Sequence, residues 1–199
     1  MNIKKGLCKE IFRQYDIRGE YSTQIDEDTA YTIGLAFGTK IKSLGKTTCV
    51  VGHDNRLSSD SLTDALLKGI TSTGIDVVYL GLVTTPMYYY ACLYLKIDSG
   101  IMVTASHNPV NDNGFKVTLD DYFCAVGKQI TELYDIAMDG NFIYGEGTIK
   151  DYDIKSAYLD RITRDITINK KLKVVLDPAN AAGTVIMKDV YDKDRKSVV

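Results

Sequence analysis

Residues 99–119 read SGIMVTASHNPVNDNGFKVTL. Ile101, Met102 and Val103 form a short apolar run of the kind that becomes a buried strand. Behind them, Pro109, Asn113 and Gly114 force the backbone out of regular structure. GFKVTL (114–119) is the candidate partner strand. A turn of this kind can hold the Ser106 hydroxyl out at the end of a sheet, with His107 next to it and Lys116 ten residues on.

Working outward, strand-like and helix-like segments alternate. Ala30, Ile33, Phe37, Ile41 and Leu44 recur at helical spacing over 28–44, with Asp26 or Asp28 to cap the start. CVVG (49–52) reads as a buried strand, and SSDSLTDALLKGI as a helix opened by a serine cap. DVVYLGLV (76–83) is a second strand, and Pro86 suits the first turn of the helix after it. The fold class expected is α/β, a mixed, largely parallel sheet between helices. Such sheets gather functional groups beyond the carboxyl ends of their strands, which is where Ser106 falls.

After QITELYDIA (129–137) the composition turns to Gly, Asp and Tyr, and MDGNFIYGEGTIKDYD reads as a connector. A helix at about 154–166 and KVVLDPANAAG (173–183), a strand, turn and helix start, suggest that a second α/β unit begins. The expected division is a first domain over 1–150 and the beginning of a second over 151–199. VYDKDRKSVV reads as a charged tail.

The 199 residues carry 24 basic and 26 acidic side chains, for a net charge of −2 and no basic block. Nucleic acid and anionic membrane surfaces are therefore poor partners. No stretch approaches the eighteen or more apolar residues of a membrane span. The N-terminus lacks the apolar core of a secretory signal, so a cytoplasmic protein is expected. Cys8, Cys49, Cys92 and Cys124 are far apart and read as reduced, mostly buried side chains rather than a zinc site.

Three clusters offer chemistry. In the first, Asn108-Pro109 and Asn113-Gly114 stiffen the serine loop and allow close backbone approach to a ligand, while Lys116 supplies a cation. In FRQYDIRG (12–19), Arg13 and Arg18 flank Tyr15 and Asp16, as either a phosphate grip or a solvated turn with an internal Arg–Asp pair. In GHDNRLSS (52–59), His53, Asp54 and Arg56 follow the first strand, as a helix-capping loop with a structural ion pair or as support for a site.

TASHNP followed by NGFKV, with FRQYDIRG, GHDNRLSS and GLVTTPM before it, resembles the N-terminal domain of the α-D-phosphohexomutase family, in its bacterial phosphomannomutase/phosphoglucomutase group. VVLDPANAAG resembles the opening of that family's second domain. The resemblance implies an intramolecular phosphotransferase that interconverts hexose 1-phosphate and hexose 6-phosphate through a phosphoserine and a bisphosphorylated sugar. It makes Ser106 the phosphoserine, with Lys116 and Arg18 for proton transfer and charge stabilisation and His107 helping at the loop. Tyr15, Asn108, Asn113, Gly114 and Arg56 would support the phosphate and substrate loop. It also implies Mg²⁺, reached from this chain only by Ser106 through its phosphate, and a glucose 1,6-bisphosphate-type activator.

The family's three-aspartate metal loop, sugar-selecting loop and distal phosphate domain have no counterpart in these residues. The chain is thus expected to be an N-terminal portion, inactive alone and open to self-association through apolar edges. A stand-alone Ser/His hydrolase is disfavoured, because no third triad member is visible. A non-catalytic sugar-phosphate-binding or interaction domain is the alternative.

Overall fold

In the computed structural model, the described residues are 1–165, 173–193 and 197–198. The elements in chain order are β1 (Ile17–Glu20), α1 (Glu27–Ser43), β2 (Thr48–His53), α2 (Ser59–Thr71), β3 (Asp76–Leu82), α3 (Thr85–Leu95), β4 (Gly100–Val103), β5 (Asp112–Thr118) and α4 (Lys128–Asp139). They continue with β6 (Ile149–Asp151), α5 (Lys155–Arg164), β7 (Lys173–Val174), α6 (Met187–Lys193) and β8 (Ser197–Val198).

One six-stranded sheet runs in the order β1-β5-β4-β2-β3-β6. β2 lies parallel to β3 and β4, and β3 parallel to β6. β5 runs antiparallel to both β4 and β1. The expected mixed α/β architecture is present. Its strands alternate between two cores, as the two-residue side-chain period dictates. Cys49, Val51, Ile101 and Val103 pack with Ile33 and Phe37 of α1, Leu66 and Ile70 of α2, and Leu133 of α4. Val50 and Met102 face the other way, against Met87, Tyr88, Ala91 and Cys92 of α3, with Ile154 and Ile186 in the same cluster. Burial pushes the Cys92 thiol up to about 12, and Cys49 is raised too, so both stay protonated as apolar fillers. Cys8 and Cys124 are only half-buried.

The helix signals are used as follows. Asp26 caps α1, its Oδ1 accepting from the Thr29 amide at 2.8 Å. Thr84 Oγ1 accepts from the Met87 amide, and Pro86 sits in the first turn of α3. Ser58 occupies the start of α2 but makes no side-chain cap. Its hydroxyl instead accepts from Asn113 Nδ2 at 2.8 Å, so the expected serine cap is replaced by a tether to the serine loop's far end.

Several expectations need correction. FRQYDIRG contributes a strand, β1, in which Ile17, Arg18 and Gly19 are buried and pair antiparallel with β5. The connector contains β6, an edge strand whose three residues are all exposed and therefore show no alternation. β6 is fixed to β3 by backbone pairing and by Asp76 Oδ1, which accepts from the Thr148 amide at 2.7 Å. The charged tail is not a tail: Val190–Lys193 belong to α6, and Ser197–Val198 pair in parallel with β7. Charged residues hid this helix because its outer face carries Lys188 and Asp192, which pair with each other at i,i+4.

Candidate active site

β4 is central in the sheet, and the chain leaves its carboxyl end into the loop 104–111. Ser106 is exposed there with φ 56°, a left-handed conformation unusual for a residue with a side chain. Such conformations persist only where surrounding bonds over-determine them. Here the Ser106 amide donates to Thr104 Oγ1 at 2.9 Å, and Thr104 Oγ1 donates to Asp54 Oδ2 at 2.7 Å. The Asn108 amide closes a turn on the Ala105 carbonyl at 3.0 Å. Among the described residues, Ser106 Oγ has one side-chain hydrogen-bond partner, His107 Nδ1, at 3.3 Å.

Arg56 is the staple of this loop. Its Nη1 donates to the carbonyls of Pro109 (2.6 Å) and Asp112 (2.9 Å), and its Nη2 to those of Ser106 (3.1 Å) and Asn108 (2.7 Å). Asp54 Oδ2 balances the guanidinium at 3.5 Å, while Asp54 Oδ1 accepts from Ser59 Oγ at 2.6 Å. Neutral carbonyl acceptors on a fixed planar donor make a rigid clamp. The role for Arg56 is therefore in holding the loop. His53 turns away: its Nδ1 donates to the Asp54 carbonyl at 2.8 Å, and its ring stacks on Tyr79.

The flank toward β5 and β1 carries the charge. Arg18 on β1 lies opposite Gly114 on β5, and a Cβ at Gly114 would sit 2.2 Å from the Ile17 carbonyl oxygen. Only glycine lets β1 come this close. Arg18 Nη1 then reaches Asn108 Oδ1 at 2.7 Å, and its Nη2 pairs with Asp16 Oδ2 at 2.5 Å. Lys116 Nζ lies 3.9 Å from the same Asp16 oxygen. Asn113 is fully buried and ties β5 to the start of α2 through Ser58 and Ser59. Arg18 is itself buried, 8% exposed. Tyr15 is exposed, 63%, and its carbonyl accepts from Cys124 Sγ.

The opposite flank, toward β2 and β3, is a cleft of about 600 Å³. The loops 54–57 and 83–86, the serine loop and residues 179–183 wall it, and Ser106 and His107 open onto it. Its far wall is the turn at Asp177–Asn180, where Asp177 Oδ1 accepts from the Ala179 amide and both Ala179 and Asn180 have positive φ. Asn55 Nδ2 donates to the Asn180 carbonyl across the cleft at 2.6 Å. The structure thus joins Ser106, His107, Asn108, Arg18, Lys116, Asn113, Gly114 and Arg56 in one connected region. It adds Asp16, Thr104 and Asn55, which the sequence reading did not select. Asp16 was visible as the acidic residue between two arginines.

Magnesium fits this residue set poorly. Among the described residues, no three His, Cys, Asp or Glu side chains gather into a group that could hold a metal ion. The three carboxylates tied into the region are already engaged, Asp16 by Arg18, Asp54 by Thr104 and Ser59, and Asp112 by Asn108 Nδ2.

Comparison with known proteins identifies the family. Residues 9–143 match the family model described as phosphoglucomutase/phosphomannomutase, alpha/beta/alpha domain I. The chain is 35% identical over 188 residues to the phosphoglucomutase of Neisseria gonorrhoeae, covering 94% of this chain and 41% of the relative. It is 38% identical over 184 residues to the phosphomannomutase/phosphoglucomutase of Pseudomonas putida, covering 92% of this chain and 40% of that protein. A crystal structure of a phosphoglucomutase/phosphomannomutase family protein from Burkholderia thailandensis superposes with a TM-score of 0.91 at 36% identity, over 97% of this chain and 44% of that one. The chain spans about 40% of the length of these curated relatives. It belongs to the phosphoglucomutase/phosphomannomutase family.

Proposed function

We propose that this chain carries the phosphoryl-accepting serine of a phosphohexomutase, which interconverts hexose 1-phosphate and hexose 6-phosphate through a bisphosphorylated sugar. Ser106 is the carrier. The observation that carries this reading is its hydroxyl, exposed at the carboxyl end of a central strand while the loop around it is clamped by Arg56 and Thr104. In transfer from phosphoserine, a sugar hydroxyl oxygen attacks phosphorus and the bond from phosphorus to Ser106 Oγ breaks. The hydroxyl proton leaves to a neighbouring base, and Ser106 Oγ takes one up. Arg18 and Lys116 supply positive charge and proton traffic, and His107, 3.3 Å from Oγ, helps at the loop. Such chemistry needs positioning and charge neutralisation more than covalent assistance.

Asn108 and Asn113 hold the loop's two ends, Gly114 admits β1, Arg56 clamps the carbonyls, and exposed Tyr15 stands by as a substrate contact. The division proposed is a serine-bearing domain over 1–150 and the first elements of a second domain over 151–199. Because the chain spans about 40% of its relatives' length, turnover is assigned to a longer assembly and not to these residues alone. A glucose 1,6-bisphosphate-type activator would load Ser106. Mg²⁺ would reach this chain only through the phosphate on Ser106. No helix among the described residues is long and apolar enough to cross a membrane, and the proposed location is the cytoplasm.

The test is turnover of glucose 1-phosphate and mannose 1-phosphate by a protein in which this chain is continued by the remaining length of the Pseudomonas putida relative. Lys116→Ala should lower kcat by about 10² or more, the scale of losing one transition-state partner. Unchanged turnover in Lys116→Ala would remove that residue from the site, and no turnover in the unmodified protein would remove the activity.

A further inference from the structure

Asp16 lies between two cations of the site. Its Oδ2 takes the Arg18 guanidinium at 2.5 Å and faces Lys116 Nζ at 3.9 Å, so one carboxylate serves two cations. The pairing is sheltered, with side-chain exposures of 9% for Arg18 and 13% for Asp16. Removing one partner of a sheltered pair leaves the other seeking a counter-charge. Arg18 also has a buried Nε–H without an acceptor among the protein's described groups. A guanidinium carries five donors in a fixed fork, and this one leaves that donor unused.

We infer that Asp16 is a positioning residue that stands in for the phosphate, holding Arg18 and Lys116 beside the serine loop and competing with an incoming phosphate for both. This rests on reading Ser106 as the phosphoryl carrier. Arg18, Lys116 and Asp16 together carry one positive charge, enough to attract a phosphate and to release it again. Without the Asp16 charge the same two cations would carry two. They would then hold phosphate harder and give it up more slowly, a poor arrangement for a group that must be passed on. Asp16 also keeps Arg18 aimed at Asn108, so the cation stays in register with the loop while Ser106 is unmodified.

The experiment is titration of the chain with inorganic phosphate, followed by calorimetry or by ³¹P line broadening. Asp16→Asn should bind phosphate roughly ten-fold more tightly than the unmodified chain, the effect of deleting one unit charge about 6 Å from a doubly charged anion in water. The double variant Asp16→Asn with Lys116→Gln, which removes one charge of each sign, should return to within about three-fold of the unmodified chain. A purely structural Asp16 would instead give weaker binding in both. Equal or weaker phosphate affinity in a folded Asp16→Asn would overturn the inference. If that variant does not fold, the double variant decides, with a loss of ten-fold or more counting against it. Mapping Ser106 phosphorylation after glucose 1,6-bisphosphate is added to the same variants, each continued by the remaining length of the Pseudomonas putida relative, separates the two readings. Tighter phosphate binding with no phosphate ever transferred to Ser106 would sink the proposed function and leave the competition standing. Transfer to Ser106 with unaltered affinity in Asp16→Asn would do the reverse.

Discussion

The two walls of the cleft are built to different standards. The near wall, the serine loop, is gripped from below by Asp54 through Thr104, from one side by Arg56, and from the other by Arg18 through Asn108. Most of these partners are buried and charged, and charge-assisted bonds are the stronger kind. The far wall, Asp177–Asn180, is held by its own local turn and met across the cleft by Asn55, an exposed neutral side chain. The contrast teaches that the wall that carries the Ser106 hydroxyl is preorganised, while the wall opposite is held by fewer and weaker bonds. Preorganisation is where catalytic positioning is gained.

The largest effect expected is at Arg56. Arg56→Ala leaves the carbonyls of Ser106, Asn108, Pro109 and Asp112 without this donor and Asp54 without its cation. A loss of about 3 kcal/mol is expected in urea unfolding, at the scale of breaking a mostly buried charged group's hydrogen bonds. A change under about 0.5 kcal/mol would mean that the near wall is not clamped. Thr104→Val is the intermediate case. It keeps the shape but removes the acceptor of the Ser106 amide and one donor to Asp54, so a loss of about 1–2 kcal/mol is expected by the same measurement.

Asn55→Ala is the smallest. The far wall should tolerate it within about 0.5 kcal/mol, as exposed sites usually do. Amide exchange should then quicken around 177–183 while the serine loop stays as protected as before. Faster exchange in the serine loop instead would show the two walls to be one unit.

The sequence announced the near wall better than the far one, for physical reasons. Apolar runs at residues 49–52 and 101–103 are buried strands and the run at 76–83 is the partly buried β3, and such runs are the plainest signal a sheet leaves. Punctuation by Asn, Pro and Gly marked the serine loop. β6 was hidden because an exposed edge strand needs no apolar face. β1 was hidden because its polar neighbours drew attention from Ile17. Pairings across the fold left no local trace: Arg56 meeting carbonyls fifty residues away, Arg18 meeting Asn108, and Asn55 meeting Asn180. Asp16 lay in plain view, but its sharing between two cations needed β1 and β5 side by side.

The central claim is that Ser106 is the residue on which the preorganised wall presents a phosphate. The direct measurement is incubation of the protein with glucose 1,6-bisphosphate, followed by tryptic mapping and fragmentation of the peptide spanning 97–116. The account predicts one phosphate on Ser106, absent from Ser106→Ala although that variant unfolds at an unchanged urea concentration. Phosphate found mainly on Ser58 or Ser59, at the start of α2, would contradict it.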